Sequence, residues 1–247
     1  LNKPTILLVH GAWHSGTCWS LVIPLLEAAG YRVLAPDLPG HGSSKLPLAK
    51  VTLKAYVTSL QQLVDTIDGQ VMLVGHSMGG MVISAVAASR PDRIAQLIYL
   101  CAYLPRHDES LFDLIVLNRG HEPISAIELA MQMSEDKRSC RINEQDIIPL
   151  FYPLAPPALA QLARAQFRVQ ATLPLATKVN LQATGYQTIA RTYICCTLDR
   201  VIPLQHQRRM LSRQLCGTLL QIDADHSPFL SRPVELAALL TASAGSQ

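Results

Sequence analysis

A chain of 247 residues, 49% of them apolar and 16% charged, is long enough to bury a substantial core and too apolar to stay disordered. Its formal net charge of +3, with no run of Lys or Arg beyond a pair, argues against nucleic acid as a partner. No apolar stretch reaches the ~20 residues that a bilayer crossing needs, and six cysteines without a C-x-x-C spacing read as reduced thiols of a cytoplasmic protein, a single disulfide being the lesser alternative.

In chain order, T-I-L-L-V at residues 5–9 is a short, wholly apolar run, the pattern of a strand buried on both faces. No secretory leader is visible before it, although the chain begins at Leu1 and leaves a removed leader open. A loop of small residues follows, His10-Gly11-Ala12-Trp13-His14-Ser15-Gly16, and then helical spacing through Trp19, Val22, Leu25, Leu26 and Ala29, stopped by Gly30. A second strand is expected at 31–37, a Gly-rich loop at 38–44 and a helix over 53–67 with Thr52 as its cap. The run V-M-L-V at 71–74 enters G-H-S-M-G, and helical spacing resumes at once with Met81, Val82, Ala85, Val86 and Ala88. Another buried strand lies within 94–104 and ends at Pro105. From there strand-like runs become scarce, prolines frequent, and helical patterns appear at 125–133 and 158–170. Strand rhythm returns with R-T-Y-I-C-C at 191–196, a helix at 205–215, a strand at 218–222 and a last helix at 233–240 before a loose small-residue tail. Strands alternating with helices predict an α/β fold: a mostly parallel sheet with helices on both faces. The expected division is a core in two parts, 1–105 and 187–247, with a mainly helical cap, 106–186, inserted between them.

G-x-S-x-G gains meaning from its context, because strand, abrupt turn and helix together make a nucleophile elbow that lifts Ser77 above the carboxyl end of the sheet. A serine hydroxyl is a poor nucleophile until a base takes its proton, and the base must be held in one tautomer by an acid. His226, just after the last strand, is the expected base, and Asp199, just after the preceding strand, the expected acid. Asp199 could instead cap the following helix, leaving Asp108 or Asp113 as the acid. Asp223 and Asp225 stand too near His226 to be first choices, with Asp223 a candidate support. Acyl transfer also needs donors where negative charge develops. The backbone N–H groups of Met78, after the nucleophile, and Ala12, after Gly11, fit that role. His76 is expected to pack or support, His41 to be a plain loop residue and His206 to sit on a solvated helix face.

The segments L-L-V-H-G-A-W-H-S-G, L-L-E-A-A-G-Y-R-V-L-A-P-D-L, L-V-G-H-S-M-G-G, Y-I-C-C-T-L-D and D-H-S-P-F-L resemble the hydroxynitrile lyase and methylesterase branch of the α/β-hydrolase superfamily. That branch includes plant methyl salicylate esterases and bacterial carboxylesterases, some acting on pyrethroid esters. The resemblance implies Ser77, Asp199 and His226 as the triad and Ala12 and Met78 as oxyanion donors. Two departures favour ester hydrolysis over C–C cleavage: the lyases carry threonine where this chain has Gly11, and lysine where it has Ser227. The expectation is a cofactor-independent, metal-free serine carboxylesterase for small to medium apolar esters. Gly11, Trp13, His14, Phe151 and Tyr152 are the expected substrate contacts, and Met131, Met133 and Phe167 further candidates for the pocket lining. A lyase or C–C hydrolase on the same triad, and a ligand-binding receptor with little turnover, are the alternatives. The expected partner is a small-molecule ester, with neither nucleic acid nor membrane; a homodimer is allowed.

Overall fold

Thr5 and the four apolar residues after it, three of the five β-branched, give the first strand of the computed structural model, β1 (Thr5–Val9), every residue of which is buried. The structure describes residues 3–118 and 124–244. After β1 come β2 (Val33–Leu34), β3 (Val71–His76) and β4 (Ile94–Leu100). The inserted segment then contributes three short strands, β5 (Met131–Met133), β6 (Ser139–Ile142) and β7 (Gln170–Ala171), before β8 (Ala190–Cys196) and β9 (Thr218–Ile222) complete the main sheet.

The main sheet has six strands in the order β2-β1-β3-β4-β8-β9, all parallel. Parallel neighbours require crossovers, and the helices that supply them cover both faces, which is why the inner strands are apolar on both sides. β3 lies in the middle, so the turn at its carboxyl end stands over the centre of the sheet, where ligands of such sheets bind. Main-chain bonds join the strands that carry the site: the Cys101 N–H donates to Ile194 O across β4 and β8 at 2.9 Å.

Element boundaries differ from the sequence pattern where local chemistry intervenes. The helical spacing after Gly16 becomes a 3₁₀ turn, Gly16–Trp19, and a separate α-helix, Ile23–Ala28, with Pro24 in its first turn, where a missing N–H costs nothing. The expected helix over 53–67 is Leu53–Asp65, and Thr52 caps it by accepting the Ala55 N–H. The second strand shrinks to two residues. The inserted segment departs most from its helical expectation: the pattern at 125–133 is a short helix, Ala126–Ala130, ending in β5 of an antiparallel three-stranded sheet. The helix at 158–170 stops at Ala165, because the chain beyond it is drawn into β7. The last helix extends over Pro233–Ala244, while the remainder of the tail expected to be loose, 245–247, lies outside the described residues. All six cysteines are free of disulfides, and no helix among the described residues is long and apolar enough to cross a membrane.

Candidate active site

Ser77 occupies the turn between β3 and the helix Gly79–Ser89 with φ +53°, a left-handed conformation that an L-residue adopts only under constraint. Its N–H donates to Leu100 O at 3.3 Å, and its carbonyl accepts from Gly80 and Tyr103 at 3.1 Å each. The flanking glycines allow so tight a turn: a Cβ on Gly75 would stand 2.7 Å from the Gly79 carbonyl carbon, and one on Gly79 2.7 Å from Val9 O. Two further non-glycine residues near the turn have positive φ, Trp13 at +61° and Cys101 at +35°. Each such residue costs about 1–3 kcal/mol, so the surrounding bonds must over-determine this part of the chain.

His226 and Asp199 meet from the loops after β9 and β8. His226 Nδ1 lies 2.7 Å from Asp199 Oδ2, and both side chains are fully buried. A carboxylate can only accept, so Nδ1 carries the hydrogen, and in the neutral ring Nε2 presents a lone pair. That Nε2 is buried and has no hydrogen-bond partner among the described residues. The other carboxylate oxygen, Oδ1, accepts the N–H groups of Val201 (2.7 Å) and Ile202 (2.9 Å). Asp199 therefore serves both the imidazole and the chain entering the next helix, so the capping role weighed against it coexists with the other. The elbow holds the histidine backbone as well: His76 Nε2 donates to His226 O at 2.7 Å, and Cys101 Sγ lies 3.7 Å from the same oxygen. The imidazole of His226 sits between His76, at 4.6 Å between ring centroids, and Phe151, at 5.5 Å. Donor atoms of His76, Cys101 and His226 thus fall within 4.8 Å of one another; the bonds just described account for that grouping.

The loop after β1 lies against the elbow so closely that a Cβ on Gly11 would stand 2.8 Å from Ser77 Cβ. Its four successive carbonyls, 11 to 14, are each held by a donor. His10 Nδ1 bonds Gly11 O (2.8 Å), His14 Nδ1 bonds Ala12 O (2.8 Å), and the Arg168 N–H donates to Trp13 O (3.0 Å). His41 Nδ1 bonds His14 O at 2.8 Å. The ring tautomers follow, because a carbonyl accepts only: His10, His14 and His41 all carry hydrogen on Nδ1, and Leu38 N–H donates to His10 Nε2 at 3.0 Å. Fixing the Gly11 carbonyl fixes the peptide whose other end is the Ala12 N–H. Neither that N–H nor the Met78 N–H is taken by the backbone network of the described residues, although both residues are buried. Burial pushes His14 down to about 3 and holds His10, His41 and His76 below the ordinary histidine range, so these four rings are neutral.

The structure gathers the expected contacts around His14. Phe151, Tyr152, Phe167 and Phe229 pack on its ring at 4.9–6.0 Å, and Phe167 stacks on Trp13 at 6.5 Å. Met131 is half-buried, but Met133 is exposed on β5 and lines nothing at the elbow. A cavity of about 130 Å³ beside the loop is lined by Trp13, His14, Tyr152, Phe167, Phe229 and Leu230, among others. A larger groove, about 440 Å³, lies on the outer face of the inserted segment among Arg141, Glu144, Arg164 and Arg168; neither Ser77 nor His226 lines either space, and the smaller one reaches the site through His14.

Other expectations need correction. His206 is buried, not solvated: the helix Leu204–Arg213 turns His206, Gln207 and Met210 inward, and the His206 ring bonds Leu114 O at 2.9 Å. His41 is no plain loop residue but a buried strut between His14 O and the Tyr56 hydroxyl. Asp108 is exposed and paired with Lys178, and Asp113 closes a capping box with Ser110, so the rival acids are engaged elsewhere. Asp223 bonds the Thr197 hydroxyl at 2.7 Å, whereas the fully buried Asp225 supports the histidine loop by accepting from Ser227 N, the Ser231 hydroxyl and Leu154 N. Sequence reasoning gave no role to His10 or Phe229 and set Asp225 aside as too near His226, naming Asp223 as the candidate support instead; adjacency to Gly11 was the one signal available for His10.

A parallel sheet with a strained serine at its central turn, a buried Asp–His pair and a tightly folded loop after β1 defines an α/β-hydrolase, and the chain belongs to the Alpha/beta hydrolase family, whose model matches residues 6–239. Within it, the chain is 31% identical to Methylesterase 7 of Arabidopsis thaliana, over 97% of this chain and 95% of that protein. It is 33% identical to the Pyrethroid hydrolase of Sphingobium wenxiniae, over 94% and 84%. The crystal structure of a pyrethroid hydrolase from Sphingobium faniae superposes with a TM-score of 0.88 at 30% identity, covering 98% of both chains.

Proposed function

We propose that the protein is a serine carboxylesterase acting on small to medium apolar esters, with Ser77 as nucleophile, His226 as general base then acid, and Asp199 as the orienting acid. The observation that carries this reading is the buried 2.7 Å bond from His226 Nδ1 to Asp199, which leaves Nε2 as a basic lone pair next to the elbow. In the mechanism Ser77 Oγ adds to the ester carbonyl as its proton passes to His226 Nε2. The Ala12 and Met78 N–H groups receive the developing oxyanion, and His226 returns the proton to the departing alcohol. Water, deprotonated by His226, then adds to the acyl-enzyme and releases the acid.

The relatives named methylesterase and pyrethroid hydrolase support carboxylic esters as the substrate class. Trp13, Phe151 and Phe167 offer an aromatic, uncharged wall suited to an apolar acyl or alkoxy group. Lyase chemistry of the kind that uses a threonine at position 11 is not favoured, since even a Cβ there would stand 2.8 Å from the nucleophile's own. We take 106–186 as the cap over a core formed by 1–105 and 187–247, in a cytoplasmic enzyme that keeps its thiols reduced. The reaction as drawn calls for no cofactor. A panel of p-nitrophenyl, methyl and aryl esters, run beside Ser77→Ala, tests the reading. The wild type should turn over at least one class, and Ser77→Ala should lower kcat by about 10⁴-fold or more; equal rates for the two proteins on every ester would overturn it.

A further inference from the structure

The outer side of the loop after β1 is held from the inserted segment, and one of those holds is a side chain. Tyr152 is buried, and its hydroxyl lies 2.8 Å from His14 Nε2. Because His14 carries its hydrogen on Nδ1, bonded to Ala12 O, its Nε2 can only accept, so the tyrosine is the donor. Burial raises the Tyr152 phenol well above its ordinary range, which keeps that proton in place. The same segment supplies the Arg168 N–H to Trp13 O at 3.0 Å and receives the Trp13 indole N–H at Cys140 O, 3.3 Å. Residues 11–14, left-handed at Trp13, are therefore tied on one side to His10, at Gly11 O, and His41, at His14 O, and on the other to the inserted segment.

We infer that Tyr152 is a positioning residue of the oxyanion loop: its hydroxyl fixes the tautomer and rotation in which His14 pins the Ala12 carbonyl, so the loop offers its donor only while the inserted segment is seated. This rests on the reading of Ala12 as an oxyanion donor. Tyr152 itself touches no reacting atom; it acts through His14. The link gives the segment a second task beside walling the pocket, since a segment lifted from the loop would leave His14 Nε2 bare and the ring free to turn.

The test is Tyr152→Phe, measured by kcat, KM and affinity for an aryl trifluoromethyl ketone. That ketone adds Ser77 Oγ to its carbonyl carbon, the serine proton passing to His226 and the hemiketal oxyanion entering the hole. The expected result is a 10- to 100-fold fall in kcat, a similar fall in ketone affinity, KM within about threefold, and no such loss when the substitution is repeated in a His14→Ala background. Unchanged kcat and ketone affinity would overturn the inference, as would an effect confined to KM, or an equal loss in the His14→Ala background. Should the variant not fold, ¹⁵N NMR of the wild-type His14 ring decides: hydrogen on Nε2 would overturn it. A ketone that forms no adduct with wild type would sink the esterase reading; an adduct formed equally well by both proteins sinks only the role of Tyr152.

Discussion

Asp199 divides its two oxygens between two tasks, and that division makes a substitution there informative. Oδ1 accepts two backbone N–H groups and Oδ2 the His226 imidazole. In Asp199→Asn the amide oxygen must stay with Val201 and Ile202, which turns the NH₂ group toward Nδ1. His226 would then hold its hydrogen on Nε2 and could not take the serine proton. Kcat should fall by about 10³- to 10⁴-fold with the melting temperature nearly unchanged; turnover within tenfold of wild type would remove Asp199 from the triad. Ser77, His226 and Asp199 were legible as candidates because an elbow motif and two strand ends mark them. Asp199 was the expected acid, but Asp108 and Asp113 could not be dismissed, since a carboxylate one strand away reads much the same in sequence until its partner is known.

At the scale of elements, the histidine loop and the inserted segment are joined through one buried carboxylate. Asp225 accepts Ser227 N–H at 3.1 Å and the Ser231 hydroxyl at 2.8 Å within its own loop, and Leu154 N–H at 2.9 Å from the inserted segment. Asp225→Ala would leave the buried Ser227 N–H and the part-buried Leu154 N–H without an acceptor, so a loss of about 2–4 kcal/mol is expected. Urea unfolding followed by circular dichroism checks it, and a loss below ~1 kcal/mol would mean that the loop holds itself. The strands at the centre of the main sheet, β1 and β3, were readable from their apolar runs. The inserted segment was not, because its strands are two to four residues long, too short for either periodicity to register.

For the molecule as a whole, the buried neutral histidines set an acid limit. An unfolded histidine takes up its proton near pH 6.5, whereas burial holds His10, His14, His41 and His76 below that in the folded chain, His14 at about 3. The folded pKa lies below the unfolded one, so the unfolded state binds more protons in between. The stabilisation is complete above pH ~6.5 and is lost as pH falls toward the folded values, by as much as about 1.4 kcal/mol per pH unit for each ring. Unfolding free energies from urea titrations at pH 7 and pH 5 should differ by several kcal/mol, with proton uptake on unfolding. Equal free energies would show these rings to be charged or exposed in the native state.

By itself the sequence determined the fold class, the elbow and which residue types could form a triad, because apolar periodicity and the steric demand for glycine are local properties written directly in the chain. Tertiary structure alone showed the 2.7 Å bond between Asp199 and His226, the burial of His41 and His206, and the reach of Tyr152 to His14 from 138 residues away. Those outcomes depend on how buried hydrogen-bonding groups find partners across the fold. That satisfaction is a property of three-dimensional neighbours, which no window along the chain contains.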